Sequence, residues 1–119
     1  MTIPRPPKGS GSAGRRLWTE VQREFELGEH ELALLTALVR QVDRLEALEA
    51  LIAAEGLTVT GHGSVKMHPC VCEARQTAIA VARIAAALRL PAGEEDEDAK
   101  PGQRRAGVRG VYALRGGAA

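Results

Sequence analysis

Residues 29–55 read EHELALLTALVRQVDRLEALEALIAAE, a stretch free of proline and glycine and bounded by Gly28 and Gly56. Strong helix formers fill it, and Glu29 and Glu31 stand where a first helical turn favours acids. At 100° per residue, Leu32, Leu34, Leu35, Leu38, Val39, Val42, Leu45 and Ile52 spread over about 160° of the helix circumference. Such a helix spans about 40 Å. A globule of ~78 residues has a radius of gyration of only about 11–12 Å. The spacing therefore predicts a long central helix with more apolar surface than its own chain covers, and self-association to bury the surplus.

Working outward, Leu17, Trp18, Val21 and Phe25 recur at helical spacing before Gly28, which predicts a first helix over residues 14–27. After Gly56, Leu57-Thr58-Val59-Thr60 and Val65-Lys66-Met67-His68 flank the turn Gly61-His62-Gly63-Ser64 and predict a small β-hairpin. An isolated hairpin is marginal in water, so this one is expected to pack on a helix or on another subunit. Pro69 suits the first position of a third helix, with His68 near its N-cap, running to Leu90 before Pro91. Its stripe is Val71, Ala74, Ala78, Val81, Ala85 and Leu88, and its alanine content lets a neighbouring helix approach closely. The predicted fold is mainly α: a helical hairpin with a long central helix, a small β-hairpin, a third Ala-rich helix, and flexible basic tails. In chain order these are a flexible arm over 1–13, a helical oligomerisation core over 14–91, and an acidic-then-basic tail over 92–119. Leu32, Leu35, Val39, Val42, Val81 and Leu88 are the expected oligomer interface.

The chain has 119 residues, with 45% hydrophobic but only 3% aromatic. The core must therefore be built from aliphatic side chains, which suits helix packing within a single domain. No apolar run reaches the ~18 residues of a membrane span, and no signal-peptide core follows the start. The two cysteines, Cys70 and Cys72, lie too close together to staple a fold, which suggests a reducing compartment. The net charge of +1 conceals a strong asymmetry. Residues 1–16 hold four cations and no acid, and residues 99–119 hold five cations and no acid. All fifteen acids lie between them, five as the run Glu94-Glu95-Asp96-Glu97-Asp98. Basic ends of this kind suit a polyanion, and Arg5, Lys8, Arg15, Arg16, Arg104, Arg105 and Arg109 are the candidate phosphate contacts. Solubilising disorder is the competing explanation of the same charges.

Catalytic signatures are missing: the sequence has no G-x-S-x-G, no P-loop and no H-E-x-x-H. Glu46 and Glu49 read as a solvated face with Arg40 and Arg44 rather than an acid/base pair. His62, His68, Cys70 and Cys72 have the composition of a zinc knuckle. Their spacing opposes it, because Cys-x-Cys on a helix points the two thiols about 200° apart. No metal and no cofactor is expected. The helix pair around Gly28 invites a helix-turn-helix reading, but the Leu-rich start of the second helix lacks base-reading side chains.

The order of these features resembles a known family. It comprises Leu17-Trp18 through Phe25-Glu26-Leu27, an acidic Leu-rich helix with Asp43 and Leu45, and Gly56-Leu57-Thr58-Val59-Thr60-Gly61. His68-Pro69, Glu73-Ala74-Arg75, Leu88-Arg89-Leu90-Pro91, an acidic linker and Arg104-Arg105 follow. This pattern is similar to the small terminase subunits of tailed bacteriophages, of the type found in actinobacterial phages and prophages. The chain departs from it at Cys70 and Cys72, where aliphatic residues are expected, and in the glycine-bearing block around Arg104–Arg109. The resemblance implies a non-catalytic protein of the bacterial host cytoplasm. It would form a homo-oligomeric ring, recognise double-stranded viral DNA for packaging, and regulate the ATPase and nuclease of the large terminase subunit. The alternative from the residues themselves is a small helical adaptor that binds a protein partner through its apolar face, without DNA.

Overall fold

The computed structural model describes residues 3–90 and the backbone of 104–105. The elements are α1 (Ser12–Glu24), β1 (Phe25–Glu26), α2 (Glu29–Glu55), β2 (Thr58–Gly61), β3 (Ser64–Met67), α3 (Pro69–Leu88) and β4 (Arg104–Arg105). The fold is mainly helical with a small antiparallel β-hairpin, as the periodicity predicts. Gly28 ends the turn into α2, and its N–H donates to Glu31 Oε1 at 2.7 Å, closing the first helical turn. Gly56 ends α2 with a positive φ of 87°.

The core sits where three helices meet. Trp18, Val21 and Phe25 from α1 and its extension pack with Leu35, Leu38 and Val39 of α2 and Leu88 of α3. Because Leu88 reaches this cluster while the start of α3 lies beside the end of α2, the two long helices run antiparallel. This arrangement corrects the expected oligomer interface at Leu35, Val39 and Leu88. Leu35, Val39 and Leu88 have no exposed surface within the single chain, and Leu32, Val42 and Val81 are half-buried against the same cluster. The physical reason is that α1 and α3 approach α2 from two sides, and two neighbours cover an arc too wide for one. The unspent apolar surface lies elsewhere, at Leu51, Leu57, Val59, Val65, Met67 and Ile79, all exposed.

The proline- and glycine-rich start, expected to be a flexible arm over 1–13, makes defined contacts from Pro4 onward, and α1 begins at Ser12 rather than Gly14. The Trp18 indole N–H donates to the Pro4 carbonyl at 2.8 Å. Ser10 turns back on Pro7, its N–H and hydroxyl donating to the Pro7 carbonyl at 3.2 and 2.6 Å. The N-cap of α1 is Gly11, which has no side chain to cap with. Asp43 of α2 supplies the missing acceptor: Gly11 N–H donates to its Oδ2 and Gly14 N–H to its Oδ1, both at 2.8 Å. One carboxylate thus caps a helix to which it does not belong, and the charge favours the positive end of that helix.

His68 joins the far ends of α2 and α3. Its Nδ1 accepts from Cys70 N–H at 3.0 Å, which caps α3, so the ring proton sits on Nε2 and donates to Glu55 Oε1 at 3.1 Å. His68 is buried, and Pro69 occupies the first helical position as expected. Replacing His68 by Asn keeps a capping acceptor and removes the link to Glu55, whereas Ala removes both. We therefore expect His68→Ala to lower stability by about 1–2 kcal/mol and His68→Asn by less, read by thermal melts.

Between these ends stands the hairpin, with Thr58 opposite Met67, Val59 opposite Lys66, Thr60 opposite Val65, and Gly61 opposite Ser64. His62 and Gly63 both have positive φ, 51° and 78°, which is the two-residue turn matched to strand twist, and Gly63 adopts it without strain. All eight strand residues are exposed. The hairpin is therefore not packed on a helix of its own chain.

Candidate nucleic-acid interface

A helix that buries one stripe leaves the opposite stripe to solvent. On α1 the buried side is Gly14, Trp18, Val21 and Gln22, continued by Phe25. Its opposite side carries Ser12, Arg15, Arg16, Thr19, Glu20 and Arg23, which line one shallow surface groove. Three of those six are arginines and one is an acid, so the face is basic. Arg15 Nη1 donates to the Ser10 carbonyl at 2.8 Å, which fixes that guanidinium beside the docked N-terminal segment. Arg5 and Lys8 are exposed on the same segment. Sequence reasoning singled out Arg5, Lys8, Arg15 and Arg16 but missed Arg23 and Thr19. Counting seven and eight residues on from Arg16 and Arg15 would have found Arg23 on the same face.

The C-terminal cations divide. Arg104 and Arg105 form β4, which pairs antiparallel with β1, Arg104 opposite Glu26 and Arg105 opposite Phe25. Their backbone thus lies against the two residues that follow α1, although the sequence assigned residues 92–119 to a free tail. Arg109 lies outside the described residues. Arg83 of α3 and Arg89, its C-cap, are exposed at the end that carries Leu88 into the core, the α1 end of the fold.

Among the described residues, each helix N-terminus already has a side-chain acceptor. Asp43 fills that of α1, Glu31 closes that of α2, and His68 caps that of α3. Binding of phosphate here would rest on the guanidinium groups along the exposed face of a helix about 20 Å long, with Arg5 and Lys8 on the segment before it. The second helix, which the helix-turn-helix reading would place in the groove, instead runs through the core.

The other candidate clusters are not drawn together. His62 sits at the hairpin tip, Cys72 is exposed on α3, Cys70 is half-buried, and both ring nitrogens of His68 are engaged. Among the described residues no group of three or more His, Cys, Asp or Glu is placed to hold a metal ion. Glu46 and Glu49 are exposed on α2. Among the described residues no helix is long and apolar enough to cross a membrane.

No family model, curated protein or solved structure matches this chain.

Proposed function

We propose that this chain is a non-catalytic DNA-binding subunit of the small terminase type. In that role it would assemble with copies of itself into a ring, hold double-stranded viral DNA for packaging, and regulate the large terminase subunit in the cytoplasm of the bacterial host. The observation that carries the DNA-binding part is the exposed stripe Arg15, Arg16, Thr19 and Arg23, opposite the buried face of α1 and flanked by Arg5 and Lys8. The pattern of sequence features from Leu17 to Arg105 supplies the terminase part.

The electrostatics define the test. Each phosphate contact releases condensed counterion, so binding weakens with salt at a slope of about 0.9 per contact. Replacing Arg15, Arg16 and Arg23 together by Ala is expected to reduce the log–log salt slope for duplex DNA by about 2–3 and to leave helicity unchanged. A slope equal to that of the unaltered protein overturns the assignment. Replacing Arg104, Arg105 and Arg109 should reduce the slope further if the C-terminal block lies along the same duplex.

A further inference from the structure

We infer that β2 is a pairing strand for a second copy of this chain, joined antiparallel about Val59. This inference is independent of the DNA-binding proposal. A two-stranded hairpin exposed on both faces is marginal by itself, and three or more strands are needed for a stable sheet. The two free edges of the hairpin differ. On β3, Lys66 places a charge at the centre of the strand, the usual guard against edge pairing. On β2 the edge is Thr58-Val59-Thr60-Gly61, with no charge and no proline.

The turn fixes which groups face outward. A two-residue turn closed by Gly61 and Ser64 makes 61–64 and 59–66 the hydrogen-bonded pairs. Thr58 and Thr60 then direct their N–H and C=O away from β3. Thr-Val-Thr is the same read in either direction, so a two-fold axis at Val59 sets Thr58 against the partner's Thr60 and Thr60 against the partner's Thr58. Four main-chain hydrogen bonds form, and Thr–Thr pairs are among the favourable cross-strand pairs. The charges agree with this occupant. No like charges oppose one another along the seam, because residues 58–61 are all uncharged. The same operation on β3 would set Lys66 against its own copy. The result is a four-stranded sheet in the order β3-β2-β2-β3 that closes at two copies, so any larger ring needs a separate contact.

Position 59 provides a direct test. In this pairing the two Val59 Cα atoms face each other at about 4.5 Å, within reach of a disulfide. Two Val65 positions lie about 16 Å apart, three strand spacings across and two residues along the sheet. In a full-length C70S/C72S background, V59C is expected to form a covalent dimer under mild oxidation, and V65C to remain monomeric. Val65 is 68% exposed against 36% for Val59, so random collision would favour the opposite result. Thr60→Pro removes an outward N–H and leaves the hairpin's own ladder intact; added to V59C, it is expected to cut the dimer yield at least tenfold. Absence of a V59C dimer, equal cross-linking at Val65, or full yield with proline at 60 each overturns the inference.

Discussion

A Leu35→Glu chain is expected to lose its helical circular dichroism at room temperature, while Leu51→Glu on the same helix keeps it. Leu35 has no exposed surface and lies between Trp18, Val39 and the other members of the three-helix core. Glu there would leave a carboxylate with no partner inside apolar packing and would remove the dispersion contacts of a buried leucine. Loss of a buried leucine alone costs about 2–5 kcal/mol, and an unpaired charge adds to it. A domain of this size has only about 5–15 kcal/mol in total. Leu51, at 45% exposure, lies beyond the reach of α1, and surface changes of that kind stay within about 0.5 kcal/mol. Retained helicity and melting temperature for Leu35→Glu would refute the position of the core.

The second large effect carries an unusual sign. Gly→Ala inside a helix ordinarily stabilises by about 0.5–1 kcal/mol. At Gly14 it is expected to destabilise by about 2–4 kcal/mol, because a Cβ would overlap the Asp43 carboxylate, with Asp43 Cγ only 2.8 Å away. That carboxylate cannot step aside without releasing two charge-assisted hydrogen bonds, each worth about 1.5–3 kcal/mol. Asp43→Ala alone should cost a similar amount. Once Asp43 is gone the obstruction is gone too, so Gly14→Ala should become neutral or mildly stabilising in the Asp43→Ala background. Denaturant melts of the four chains measure this reversal, and additive effects would disprove the cap.

The helices were legible because their signals are local. Leu32 to Ile52 recur at helical spacing, Pro69 and His68 mark a helix start, and Gly61-His62-Gly63-Ser64 marks a tight turn. What could not be read was how many neighbours share one stripe. The arc on α2 was wide enough for a partner subunit or for two helices of the same chain, and only packing decides between them. The docked N-terminal segment was hidden for a related reason. Its composition is that of a linker, and its order comes from Asp43 and Trp18, distant groups whose aim is invisible in sequence. At the candidate site, Arg15 and Arg16 stood out because they adjoin a basic run. Arg23 was missed because its neighbours Glu20 and Glu24 dilute the local charge, although the helix returns it to the same face.

The cap that Asp43 lends to α1 also bears on the order in which the chain comes apart. A helix of thirteen residues with no side-chain cap of its own and no acid in its first turn is marginal when separated from its neighbours. The segment from Pro4 to Glu24 should therefore open as one cooperative unit at a lower free energy than the α2–α3 pair. Its amide protons, those of Gly11 and Gly14 included, would then exchange ahead of those at Leu35 and Val39. The arginine face lies on this same unit. Whatever grips Arg15, Arg16 and Arg23 must also hold α1 closed, so duplex DNA is expected to slow exchange throughout residues 11–24, well beyond the side chains it touches.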